Sequence, residues 1–337
     1  MGRARMLRVN LPRPWSAALA LLLGLMAGPP GAHAQSAYQL ITEPDAGYGG
    51  VVALIRNANT SVKLTMYELA DPDAVDALIA AHSRGVDTKV LLDYAFHGHK
   101  ANTTAYQHLS DAGVPVAYAP HSIIYHQKSL VADGATAAIG TGNLTATWYP
   151  TSRDAWVLDS DPSDVAAVAS TFDSDFAGAQ AGAGHPEPGT PSAHLVWSPH
   201  ARNTFVQVIS GATRSLDVTT EELKDPETAQ ALAAAAHRGV TCRMVLNADQ
   251  QSSDAVSEVR AEGCSVHFVP TTRSGFYMHQ KVIIADGDTV LVGSQNLSTA
   301  SLLQNRELSL RLDKSIAPAV VTGLAATFNT DYGNTSG

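Results

Sequence analysis

Two stretches of the chain repeat one pattern of apolar and polar positions. Residues 61–93 read SVKLTMYELADPDAVDALIAAHSRGVDTKVLLD, and residues 215–247 read SLDVTTEELKDPETAQALAAAAHRGVTCRMVLN, at a constant offset of 154. In each, a short apolar run (62–66; 216–220) leads through Asp-Pro into a longer helix-period stretch (72–83; 226–237). Arg-Gly and a second apolar run follow (89–92; 243–246). Short apolar runs bounded by turn residues predict strands, and the longer periodic stretch predicts a helix. Asp71 and Asp225 stand where a helix N-cap accepts backbone N–H, with Pro72 and Pro226 at the first helical position. Gly85 and Gly239 can take the left-handed conformation that ends a helix. Further along, strands are expected at 114–119 and 265–269, then in pairs at 128–132 with 136–140 and 281–285 with 289–293. Asp133-Gly134 and Asp286-Gly287 join each pair, as tight hairpins require. Strands alternating with helices predict an α/β sandwich with a largely parallel sheet ending in a hairpin.

The repeat extends over most of the chain, so the protein reads as a tandem duplication. The expected first domain is 35–176 and the second 194–337. Residues 177–193, rich in Ala, Gly and Pro and without apolar periodicity, are the expected linker. Ahead of both lies a basic start (Arg3, Arg5, Arg8, Arg13), an apolar run over 17–26 and the small-residue ending Ala32-His33-Ala34. That order predicts a secretory signal peptide over 1–34, cleaved near Ala34, and a secreted or periplasmic protein. Its apolar run is short for a membrane span.

Charge narrows the partners. The full sequence carries −9 at pH 7. Cleavage removes four arginines and no acidic residue, so the mature chain is more acidic still. Such a chain is a poor general binder of nucleic acid. An oxidising compartment would let Cys242 and Cys264 pair if the strands they begin are neighbours. Two isolated cysteines without a Cys-x-x-Cys do not predict a metal site.

The chemistry lies in a second repeat, at offset 153. His126, Lys128, Asp133, Gly140, Thr141, Asn143 and Asp154 are matched by His279, Lys281, Asp286, Gly293, Ser294, Asn296 and Glu307. Polar groups of these types rarely repeat in a core unless they are paired. Lys with Asn and a hydroxyl makes a cradle for a tetrahedral oxyanion, and two histidines can supply a nucleophile and a general acid. Asp154 and Glu307, each 28 residues beyond its histidine, are the candidate carboxylates for the far ring nitrogen.

H-x-K-x4-D-x6-G-[ST]-x-N, present twice, resembles the phospholipase D superfamily. The resemblance implies a pseudo-twofold α/β/α sandwich of two phospholipase D-like domains with one active site between the halves. It also implies a phosphohistidine intermediate, no metal or other cofactor, and a monomer that is an internal pseudo-dimer. On this resemblance His126 and His279 are nucleophile and general acid, and Lys128, Lys281, Asn143 and Asn296 hold the phosphate. Thr141 and Ser294 assist, and Asp133 and Asp286 support structure. Thr141 stands where Ser is usual. Asp154 stands where Glu is usual, with a shorter reach to its histidine.

Superfamily chemistry does not choose a substrate. Apolar residues before each histidine (Ile123, Ile124 and Tyr125; Phe276, Tyr277 and Met278) and Trp148-Tyr149 suit a lipid surface, although apolar residues are as often core. Glu68 and Glu222 recur near the predicted site and suit a cationic head group. A secreted phospholipase D cleaving head-group phosphodiesters is therefore the leading expectation, with a phospholipid surface as partner. A secreted nuclease of the same superfamily is the alternative.

Overall fold

The computed structural model describes residues 36–95, 97–270 and 276–337. The expected signal peptide, 1–34, lies outside the described residues. In the first half the strands are β1 (Tyr38–Glu43), β2 (Ser61–Met66), β3 (Asp87–Leu92), β4 (Val116–Tyr118), β5 (Lys128–Ala132), β6 (Thr136–Gly140) and β7 (Ser152–Asp159). The helices are α1 (Gly49–Asn57), α2 (Pro72–Ser83), α3 (Thr103–Asp111) and α4 (Pro162–Gln180). The second half follows with β8 (Leu195–Ser198), β9 (Ser215–Thr219), β10 (Thr241–Asn247), β11 (Ser265–Val269), β12 (Tyr277–Met278), β13 (Val282–Ala285), β14 (Thr289–Gly293) and β15 (Glu307–Asp313). Its helices are α5 (Arg202–Gly211), α6 (Pro226–His237), α7 (Asp254–Ala261), α8 (Thr299–Leu303) and α9 (Pro318–Gly333).

The caps act as their residues dictate. Asp71 accepts from the Asp73 N–H and Asp225 from the Thr228 N–H, so α2 and α6 start at their prolines. Gly85 and Gly239 take positive φ just past each helix.

Each half builds one sheet. The orders are β1-β7-β6-β5-β2-β3-β4 and β11-β10-β9-β13-β14-β15-β8, with β12 of the second half added to β7 of the first. β2, β3 and β4 are parallel, as are β9, β10 and β11. Antiparallel ladders extend beyond the expected hairpins to β7 and β1, and to β15 and β8. Strand direction is still mostly shared, because every second antiparallel strand returns to it.

Period-2 alternation divides each strand between two cores. In β5 and β7, Leu130 and Trp156 face the layer of α1, α2 and α3, whereas Val131, Ala155 and Val157 face inward. In β13 and β14, Ile283 and Leu291 face the α5–α7 layer, whereas Ile284, Val290 and Val292 face inward. The inward sets of both sheets share one core with α4 and α9, so the halves meet sheet to sheet. Strands buried on both faces explain the near-continuous apolar runs.

The expected linker start is corrected. α4 continues to Gln180, because Phe172 and Phe176 anchor its last turns among Leu91, Ala117 and Tyr125. Residues 181–194 form no regular element and lead to β8. Cys242 and Cys264 are joined as a disulfide, linking the starts of the parallel neighbours β10 and β11. Among the described residues no helix is long and apolar enough to cross a membrane.

Candidate active site

The repeated polar residues converge where the sheets meet. His126 precedes β5 and His279 precedes β13; Asn143 follows β6 and Asn296 follows β14. The segment before each histidine is received by the other half. β12 pairs with the start of β7, and Tyr125 bridges to Arg306. The Gln127 N–H donates to the Arg306 carbonyl (3.1 Å) and the His279 N–H to the Arg153 carbonyl (3.2 Å).

This exchange decides the carboxylate partners. His126 Nδ1 lies 2.9 Å from Glu307 Oε2, and His279 Nδ1 lies 2.9 Å from Asp154 Oδ1. Each histidine is therefore held by the other half's carboxylate, not by the one 28 residues further along its own. The near-equal spacings pointed within each half. Pairing between the halves reverses that, and the shorter reach of Asp154 is met by the close approach of β12 to β7. Both carboxylates are buried and further fixed: Thr141 Oγ1 donates to Asp154 (2.6 Å), Ser152 Oγ also donates to it (2.8 Å), and Asn305 Nδ2 donates to Glu307 (2.9 Å). Burial alone would raise both acids. His279 and Lys281 outweigh it at Asp154, and His126 and Lys128 outweigh it at Glu307, so both stay below the usual carboxylate range.

Burial, with Lys128 beside it, pushes the His126 imidazolium down to about 4. Its ring is thus neutral at physiological pH, with Nδ1–H toward Glu307 and Nε2 free to act as a base or nucleophile. Burial and the nearby Lys281 cation bring Lys128 down to about 7. Each lysine donates to the carbonyl of its own histidine, Lys128 at 2.7 Å. The Oδ1 atoms of Asn143 and Asn296 are buried and accept no hydrogen bond among the described residues, while their amides donate to Glu68 (3.5 Å) and Glu221 (3.2 Å). Two cations, two amides and two imidazoles facing one another suit a phosphoryl group.

Thr141 and Ser294 sit one layer back. Each hydroxyl accepts a backbone N–H, from Ala155 (3.0 Å) and Leu308 (3.1 Å), and so locks the loop that carries its asparagine. The glycine before Ser294 is required by close approach: a Cβ on Gly293 would stand 2.3 Å from the Leu308 carbonyl. Asp133 and Asp286 lie away from the site, at the hairpin turns with positive φ. They accept backbone N–H groups of residues 59–61 and 213–215, which counter burial and bring both down to about 2.

Glu222 does not join the site. It pairs with Lys224 at the surface (2.6 Å), and the residue before it, Glu221, turns inward instead. Glu221 Oε2 lies 3.1 Å from Lys281 Nζ and 3.6 Å from His279 Nε2. Its equivalent at offset 154 is Tyr67, whose ring meets His126 edge-on at 4.6 Å. Glu68, by contrast, reaches Asn143. Of the expected apolar mouth, Tyr125 and Met278 are core, whereas Trp148 is 58% and Tyr277 38% exposed. Sequence reasoning also passed over Arg153 and Arg306, although they repeat beside the carboxylates. Arg153 binds Asp331 of α9 and Arg306 binds Asp175 of α4, each through two hydrogen bonds.

Comparison with known proteins agrees with this architecture. The family model described as cardiolipin synthase, PLD-like domain, matches twice, at residues 51–176 and 205–332. Cardiolipin synthase A of Pseudomonas fluorescens is 28% identical over 333 residues, covering 85% of this chain and 67% of that protein. The mitochondrial cardiolipin hydrolase of Xenopus laevis is 28% identical over 123 residues, covering 35% of this chain and 57% of that protein. The crystal structure of phosphatidylserine synthase from Haemophilus influenzae shares the fold, with a TM-score of 0.65, 13% identity and coverage of 87% of this chain and 85% of that one. With both halves matched over most of their length, the chain belongs to the phospholipase D superfamily, as a tandem pair of PLD-like domains of the cardiolipin synthase type.

Proposed function

We propose that this chain is an exported phosphodiesterase that acts on phospholipid phosphodiesters through a phosphohistidine, in the manner of phospholipase D. The observation that carries the reading is the reciprocal pair of 2.9 Å contacts, each histidine held at Nδ1 by the other half's carboxylate. This fixes both rings with Nε2 turned toward shared phosphate donors. One histidine attacks phosphorus through Nε2 as the P–O bond to the leaving alkoxide breaks, and that oxygen takes the Nε2 proton of the other. Water or an alcohol then adds to phosphorus and returns a proton to the second histidine. The P–N bond breaks and its electron pair returns to the first.

Lipid is favoured over nucleic acid by three things: the names of the cardiolipin synthase and hydrolase relatives, the net charge of −9, and the exposed rings of Trp148 and Tyr277. Export rests on the signal-peptide pattern of 1–34. The test offers the mature chain, in excess chelator, vesicles of phosphatidylglycerol, cardiolipin or phosphatidylcholine, and in parallel single- and double-stranded DNA. Head-group release or transfer that His126→Ala lacks is the expected result. Cleaved DNA beside untouched vesicles would overturn the lipid reading.

A further inference from the structure

The two halves of the site differ at one position that touches the reacting groups. Tyr67 follows β2 and Glu221 follows β9, at the same place in the repeat. The first half therefore sets an aromatic ring against His126, with Lys128 Nζ 4.7 Å from that ring's centroid. The second half sets a carboxylate against Lys281, Asn296 and the Nε2 side of His279. Tyr277 donates to the other carboxylate oxygen (2.8 Å), which aims Glu221 into the site. We propose that Glu221 is a positioning residue that breaks the twofold equivalence of the site, holding the transferable proton on His279 Nε2 and leaving His126 as the nucleophile.

An ionised carboxylate 3.6 Å from Nε2 favours the protonated ring over the neutral one. Glu221 remains ionised: burial opposes this, but Lys281 and His279 outweigh it and hold the acid well below its usual range. Around the His279 ring stand Asp154 from β7, Glu221 from the loop after β9, Tyr277 from β12 and Lys281 before β13; His126, Lys128 and Glu307 face it from across the site. Asp154 and Glu307 are matched across the pseudo-axis, as are Lys281 and Lys128, so they act alike on the two histidines. Glu221 has no carboxylate counterpart at Tyr67. Among the described residues no acid lies within ion-pair distance of His126 Nε2.

The inference rests on the phosphohistidine reading, and its test separates the two. Wild type and Glu221→Gln are compared on two soluble phosphodiesters, one with an alkoxide leaving group that needs a proton and one with a nitrophenolate that does not. With the alkyl diester, the alkaline limb of the pH–kcat profile should move down by about one pH unit in Glu221→Gln. At pH 8 the alkyl diester should then slow about tenfold more than the aryl diester. In His279→Ala, quenched during the aryl reaction, the phosphate should map to His126. An unmoved or raised alkaline limb, equal slowing of both diesters, or phosphate on His279 in the wild type would overturn the role of Glu221. Failure of the wild type to cleave either diester would instead remove the phosphodiesterase reading itself.

Discussion

His126 is the residue whose environment makes the clearest demand on solution behaviour. Burial and Lys128 leave it neutral down to about pH 4. The free enzyme's nucleophilic form is therefore lost only near that value, and the acid limb of the kcat/KM profile should fall there, well below the ordinary histidine range. Stability follows the same group. Between about 6.5 and 4 the unfolded chain binds a proton that the folded one refuses, so this contribution is complete above 6.5 and is lost as pH falls to 4. An acid limb near 6.5 in a kcat/KM titration would show that His126 is not buried as described. At this scale much was legible. The repeated polar set marked His126, Lys128, Asn143 and their partners, because core residues repeat as apolar types. Glu221 was not legible: its equivalent is a tyrosine, and a search for identical pairs skips a site residue whose importance is that it differs.

Among the elements, α2 and α6 matched their expected bounds to the residue, since Asp-Pro and Arg-Gly set helix ends locally. α4 and α9 were harder to read, and the cause is tertiary. Each is tied to the site strand of the opposite half or its own through a buried arginine, and such a partner lies far away in sequence. The Arg306–Asp175 pair joins β15 to α4 with both side chains almost fully buried. Burial pushes Asp175 up to about 6 even with Arg306 against it, so the pair is held at a desolvation cost. Removing one member strands the other. Arg306→Ala should lower unfolding stability by about 3–5 kcal/mol in urea titration. It should also weaken Glu307, its neighbour in β15. A loss within 0.5 kcal/mol would mean that the pair does not anchor the helix.

For the whole molecule, the duplication predicted two like halves but not how they exchange partners. Spacing placed Asp154 and Glu307 at the same remove from their own histidines, yet β12 pairs with β7 and Tyr125 with Arg306, so each carboxylate serves the other half. Only the face-to-face packing of two sheets over one shared core produces that exchange. Neither half then holds a complete site, and the two histidines act as one unit. Groups that act as a unit show strongly non-additive losses. The most direct test is steady-state turnover of an alkyl phosphodiester by His126→Ala, His279→Ala and the double variant, each checked for the native fold by circular dichroism. Each single variant should lose at least about a thousandfold in kcat, and the double variant should be no worse than the singles. Substantial turnover by either single variant, or losses that multiply in the double, would contradict a single site shared between the halves.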